Sequence, residues 1–214
     1  MTMKDCVFCS LVNQTDKGLC SKPENTVLYE DDLVSIKPAL GMSIPNYLMV
    51  IFKQHINGFA ELDSSDLFRL ENLLDRICDE YLKIIGIYPI IFEHGSLPEG
   101  RHPSSITHAH LHIIPINLSR ANLEKLFDEL KLGLQSTIIS LHNIKHKDYW
   151  MYKSEIKHYY MSHSIKDAPR SCFIKLVAEQ AGYDNSYEWR DPKNNRESDV
   201  KKTIETFKKL KLNK

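Results

Sequence analysis

His108, His110 and His112 alternate along ITHAHLHIIPI, residues 106–116, with apolar residues between and after them. On an extended chain, side chains two apart point to the same side. The three imidazoles therefore share a face, and Ala109, Leu111 and Ile113 turn towards a core. Two chemistries fit such a row. The imidazoles can hold a catalytic zinc, although alternate strand residues stand roughly 7 Å apart, which is wide for one ion. Or they can divide the labour, one attacking, a neighbour meeting the charge of the substrate, the third structural. Neutral imidazole is a competent nucleophile near neutral pH. Phosphorus suits it, because a phosphorylated or nucleotidylated imidazole is labile enough to turn over. A second pair, Cys6 and Cys9 in CVFC, can be a redox couple, half of a metal site, or neither. A thioredoxin-like couple needs a strand–helix–strand context that these residues lack. A closed structural zinc needs four ligands.

The surrounding elements must position these groups. TVLYEDDLVSIKP reads as two short strands around Glu30-Asp31-Asp32, and NYLMVIF, residues 46–52, as an apolar strand ending at Lys53-Gln54-His55. In residues 65–85, Leu67, Leu70, Leu74, Ile77, Tyr81 and Ile84 recur at intervals of three and four, which predicts a long amphipathic helix. Ser64 or Ser65 can cap its start and Gly86 can end it. YPIIFEH, residues 88–94, is a further strand, and residues 95–105, with two glycines and two prolines, form a loop that feeds the histidine stretch. Ser119 can cap a helix over ANLEKLFDELKLGL. DYWMYKS and IKHYYMSHS suggest an aromatic-rich hairpin. Pro169 and Gly182 bracket another helix, and SDVKKTIETFKKLKL is a terminal helix with Val200, Ile204 and Phe207 in its stripe.

The 214 residues are 42% hydrophobic and 26% charged, which suits a packed globular protein. Formal net charge is zero, so no whole-molecule attraction to nucleic acid or to a membrane is implied. The distribution is uneven: residues 1–120 carry 10 basic and 15 acidic side chains, residues 121–214 carry 18 and 13. No apolar run is long enough to span a bilayer and no signal segment opens the chain, so a cytoplasmic protein is expected. Five cysteines in such a chain argue against a disulfide framework. His102, His142, His146, His158 and His163 read as ordinary surface or core histidines.

HAHLHII, residues 108–114, resembles the His-φ-His-φ-His-φ-φ motif of the histidine triad (HIT) superfamily of nucleotide hydrolases and transferases, where φ is apolar. The order of segments is similar too: an N-terminal CxxC, a strand ending in FKQHI, a long helix, a strand ending in FEHG, then the triad. The resemblance covers roughly residues 4–118. Trp189-Arg190 and a terminal helix over residues 198–212 resemble the extension of larger bacterial relatives. It implies an α+β, HIT-like fold: an antiparallel sheet of about five strands with the helix at 65–85 packed on it. Residues 1–118 would form the HIT domain and residues 119–214 an α/β extension packed on it.

The resemblance also implies roles. His110 would be the nucleophile towards the α-phosphate of a nucleotide or nucleotide conjugate, giving a covalent nucleotidyl-histidine. His112 would be the donor that meets phosphoryl charge. Ser105 matches a phosphate-contacting serine of some relatives, and His94 and Arg101 are further substrate-binding candidates. Cys6, Cys9, His55 and His108 would hold a structural zinc, as in several HIT branches. A homodimer is a weak preference, since the extension can replace the usual sheet-to-sheet contact. Two features depart from the pattern. Lys37 stands near the place where many relatives carry a ribose-binding acid, and no carboxylate lies between Asp32 and Glu61. Pro103-Ser104-Ser105 replaces the usual glycine-polar-serine. Histidine at position 112, where the transferase branches carry glutamine, favours hydrolysis. The alternatives are a nucleotidyltransferase or phosphorylase using a phosphate or sugar-phosphate acceptor, and a nucleotide-binding module without turnover.

Overall fold

The computed structural model describes residues 6–41, 44–95, 106, 108–144, 148–155, 158–163, 172–182, 191 and 196–212. Two short helices open the chain, α1 (Val7–Val12) and α2 (Lys17–Cys20), followed by strands β1 (Tyr29–Glu30), β2 (Val34–Pro38) and β3 (Leu48–Phe52). Then come α3 (Ser64–Ile85), β4 (Ile90–Gly95) and β5 (His110–Ile114), the strand that carries the histidines. The second half supplies α4 (Arg120–Leu130), β6 (Gly133–Gln135), β7 (Tyr149–Glu155), β8 (His158–His163), α5 (Cys172–Gln180) and α6 (Glu197–Phe207).

The fold is α+β, with the strands in one antiparallel sheet of order β1-β2-β3-β5-β4-β7-β8-β6. The sheet has eight strands rather than about five. The reason is visible at β4, whose outer edge is taken by β7 through pairs from Ile91↔Lys153 to Gly95↔Tyr149. An open edge leaves a row of unpaired amides, and the aromatic hairpin β7–β8 closes this one from within the same chain.

Alternation along the strands sorts the two faces. Val34, Ile36, Leu48, Val50, Leu111, Ile113 and Ile91 pack against Leu67, Leu70, Leu74, Ile77 and Tyr81 of α3. The predicted stripe of α3 is thus its buried face from Leu67 to Tyr81, whereas Ile84 in the last turn is exposed. Each such side chain contributes roughly 1.5–3 kcal/mol on burial. Gly86 ends the helix in the left-handed conformation, φ 75°. The start is capped by Asp63, not Ser64 or Ser65: its side chain accepts from the Asp66 amide. Ser119 caps α4 as expected, accepting from the Asn122 amide, but the helix stops at Leu130 and residues 133–135 form β6 instead. Lys131 there adopts a left-handed turn, φ 50°, which breaks the helical ladder. Gly182 is also left-handed, φ 88°, just beyond α5, whereas Pro169 lies outside the described residues. On α6, Val200 and Phe207 are buried together with Thr203, while Ile204 is half-buried.

The other face has two covers. Phe8, Leu11 and Val12 of α1 pack over Ile51 and Met49 at β3. Leu126, Leu130, Phe173, Leu176 and Val177 of α4 and α5 pack over Ile90, Phe92, Ile114, Trp150 and Tyr152. Strand β5 runs between them, and His110 and His112 remain part-exposed there. Cys6, Cys9, Cys20 and Cys78 are free thiols. No described helix is long and apolar enough to cross a membrane.

Glu93 is a charged residue in the α3-side core, 1% exposed. The Phe59 amide donates to one carboxyl oxygen at 2.8 Å and the Tyr149 hydroxyl to the other at 2.7 Å. Burial nevertheless dominates and pushes the carboxyl from its ordinary 4.5 up to about 8. The folded state therefore keeps a proton that the unfolded chain has released. The associated stability is complete below about pH 4.5 and is lost as pH rises through about 8. Glu93→Gln, which cannot ionise, is expected to gain on the wild type by on the order of a few kcal/mol across that interval. Thermal melts of both proteins between about pH 5 and 9 check this, and a constant difference across the range contradicts it.

Candidate functional site

The thiols meet because CxxC opens a helix. Cys6 is the N-cap of α1 and Cys9 lies in its first turn, so residues three apart fall on one side. His55 is brought to them by the turn after β3. The Phe52 amide donates to the Ala109 carbonyl, at 3.1 Å, and the Ala109 amide donates to Ile56 at 2.8 Å. This clamps the His55 turn onto residues 108–109. His108 stands two residues before β5 and reaches back towards the helix. Its Nδ1 is 3.5 Å from Cys6 Sγ, 3.6 Å from Cys9 Sγ and 3.2 Å from His55 Nδ1, and His55 Nδ1 is 3.2 Å from Cys9 Sγ.

Four donor atoms within 4.8 Å of one another make this a group that can hold a metal ion. The spacing fits zinc. Ligand bonds of about 2.3 Å to sulfur and about 2.0 Å to nitrogen, set tetrahedrally, place sulfur and nitrogen about 3.5 Å apart and two nitrogens about 3.3 Å apart. The tautomer fits as well. His108 Nε2 lies 2.6 Å from the Phe52 carbonyl, to which it donates, and this leaves Nδ1 as a bare lone pair facing the thiols. Burial lowers the His108 imidazole to about 4, so the ring is neutral. Burial, aided by Cys6, raises the Cys9 thiol to about 11, so ligation as thiolate would release a proton.

His110 and His112 are held apart from that cluster. His110 Nδ1 donates to the His108 carbonyl at 2.7 Å. Its ring packs edge-on against Phe8, with centroids 5.0 Å apart, and against His112, also 5.0 Å. With Nδ1 committed as donor, Nε2 of the neutral ring is unprotonated. Burial lowers the His110 pKa and places that of His112 well below the ordinary range, so both are neutral at physiological pH. His112 is stacked on Phe92, centroids 4.5 Å apart and planes within 14°, and its Nδ1 lies 2.6 Å from the Tyr47 hydroxyl.

The remaining sequence candidates divide. His94 is exposed and stacked on Trp150, 4.0 Å between centroids; its pKa is lowered because protein surrounds the ring. Ser105, Arg101 and Trp189-Arg190 lie outside the described residues. Lys37 is 3% exposed and its ammonium donates to the Asn25 carbonyl at 2.9 Å, so it is engaged within the protein. Sequence reasoning missed Phe8, Tyr47 and the aromatic wall. Phe173 of α5 stacks on Phe92, 4.6 Å and 4°, so the second half of the chain backs the ring behind His112. An available signal was the apolar–aromatic density of DYWMYKS and SCFIKLV, but pairing it with β4 needed the fold.

No protein-family model and no curated protein matches this chain. Among solved structures it is similar to a Hit-like protein involved in cell-cycle regulation from Bartonella henselae, at 20% identity and TM-score 0.40, over 54% of this chain and 82% of that one. It is also similar to a zinc-bound histidine triad family protein from Mycobacterium smegmatis, at 16% and 0.41, over 56% and 80%. A HIT family hydrolase from Clostridium thermocellum matches at 20% and 0.39, over 54% and 94%.

Proposed function

We propose that this chain is a nucleotidyl hydrolase of the histidine triad type, acting at the α-phosphate of a nucleotide conjugate through a covalent intermediate on His110. The observation that carries the reading is the bond from His110 Nδ1 to the His108 carbonyl, which leaves Nε2 as a bare, part-exposed nucleophile. In the first step the Nε2 lone pair forms a bond to phosphorus as the opposite bond, to the leaving group, breaks; a leaving oxygen keeps the electron pair, and a leaving nitrogen takes the pair together with a proton from solvent. The nucleotidylated ring is cationic, since Nδ1 keeps its proton against the His108 carbonyl. In the second step water attacks phosphorus, the phosphorus–nitrogen bond returns its pair to Nε2, and the water proton passes to solvent. His112 stays neutral throughout and donates a hydrogen bond to a phosphoryl oxygen.

In this reading Cys6, Cys9, His55 and His108 hold a structural zinc. Bound there, the ion would tie α1 to the start of β5. Its role would be structural, and the bond changes would be left to His110 and His112. Residues 1–118 would carry the chemistry and residues 119–214 would support the site, as Phe173 does at Phe92.

The test is covalent trapping. Incubation with α-labelled dinucleoside polyphosphate, phosphoramidate or nucleotide sugar, followed by a rapid quench, is expected to leave acid-labile, base-stable label on the wild type and none on His110→Ala. No label and no turnover with the whole panel would count against the reading. Product ratios unaffected by added inorganic phosphate mark hydrolysis rather than transfer.

A further inference from the structure

We propose that Tyr47 is a positioning residue that fixes His112 as the Nε2–H tautomer, and that helix α6 holds Tyr47 in place through Asn46. The catalytic consequence rests on the hydrolase reading above; the tautomer does not.

A neutral imidazole has one donor and one acceptor, and which nitrogen holds the proton is set by its partners. The partner on Nδ1 of His112 is the Tyr47 hydroxyl, at 2.6 Å. A phenol O–H is far more acidic than a neutral imidazole N–H, so the stronger arrangement has the hydroxyl donating to Nδ1. The ring proton then sits on Nε2. Tyr47 is 2% exposed, so water does not compete for this bond. The opposite tautomer would turn a lone pair from Nε2 towards the phosphoryl oxygens and repel them.

The backbone behind Tyr47 is fixed from both sides. Asn46 is left-handed, φ 68°, a conformation asparagine tolerates better than most residues. Its amide donates to Thr203 Oγ1 on α6 at 2.8 Å, and its carbonyl accepts the Tyr81 hydroxyl of α3 at 2.7 Å. Thr203 is 3% exposed and its hydroxyl donates in turn to the Asp199 carbonyl at 2.7 Å. Tyr47 itself accepts the Ala39 amide at its carbonyl, 2.9 Å. A turn clamped between α3 and α6 aims the tyrosine ring at His112. The terminal helix thereby reaches the reacting centre through Thr203, its one buried hydroxyl among the described residues.

Three variants test this: Tyr47→Phe, Thr203→Val and Thr203→Ser. Long-range proton–nitrogen NMR of the free protein reads the His112 tautomer without any substrate. The wild type is expected to show Nε2–H alone, and Tyr47→Phe a mixture of the two forms. With a turned-over substrate, Tyr47→Phe is expected to lose about 10- to 100-fold in kcat with KM nearly unchanged. Thr203→Val is expected to lose a few-fold, and Thr203→Ser to restore the wild type because it keeps the oxygen. A wild-type ring protonated at Nδ1, or a Tyr47→Phe protein with the original tautomer and kcat, overturns the proposal even if the enzyme is active. A Thr203→Val protein indistinguishable from wild type overturns the part played by α6. Absence of turnover in the wild type refutes the hydrolase reading, while the tautomer measurement still decides this one.

Discussion

His110→Ala is expected to lower turnover of any nucleotide conjugate by about four orders of magnitude or more, as removal of a covalent nucleophile does elsewhere. The size follows from the route. On the proposed route, loss of the ring would remove the nucleotidyl intermediate, and hydrolysis would have to proceed by direct attack of water on a phosphate whose charge His112 would still meet. That residual donor keeps part of the rate, so the loss is large but finite. His112→Ala should cost less, since it removes one donor and leaves the nucleophile. The fold should survive both changes. His110 is part-exposed, and its one hydrogen bond among the described contacts is to the His108 carbonyl, which lies next to the cluster of thiols rather than in the main core. Single-turnover assays on folded, metal-loaded variants provide the check. His110→Ala retaining more than a few per cent of wild-type turnover would remove the covalent route and, with it, the assignment of His110.

Much of this arrangement was legible in residues alone, for identifiable physical reasons. The stripe of α3 is a local property of period 3.6, and Gly86 is the residue that a left-handed helix end selects. The row of histidines on β5 is equally local, as it needs only period two. The set Cys6, Cys9, His55 and His108 came from resemblance, and the structure brings these four together. What escaped was whatever depends on distant segments meeting. Tyr47 looks like one more apolar position of NYLMVIF until β3 is laid beside β5, with Met49 opposite His112. Thr203 looks like a polar interruption of the α6 stripe until its hydroxyl is seen on Asn46, 157 residues earlier. Strand β6 falls where the sequence reads as the end of the preceding helix. The hairpin β7–β8 was legible but its joining the main sheet was not, because a hairpin can form its own small layer or extend a sheet. The free edge of β4 decides for the second.

Removing the metal is expected to be the largest change in stability available without touching the core. Freshly purified protein should carry about one zinc ion per chain. Stripping it, or substituting Cys9→Ala, should cost on the order of 4 kcal/mol or more, a fall in melting temperature on the order of 10–15 °C for a chain of this size. The cost is high because two buried thiols face two imidazoles with no charge to organise them. Cys6 and Cys9 are 1% and 6% exposed, and their sulfurs lie against the two imidazoles and each other. Without a cation, lone pairs face each other in the interior, and α1 loses its tie to His55 and His108. Metal content by elemental analysis separates this site from a catalytic zinc on the triad. Cys9→Ala and His108→Ala should lose the ion, while His112→Ala should keep it, because His112 Nδ1 is already engaged by Tyr47. Activity should then fall with the unfolding that follows chelation, not at the moment the chelator is added. A His112→Ala protein purified without metal would reverse the assignment, placing the ion on the row of histidines and making the thiol pair incidental.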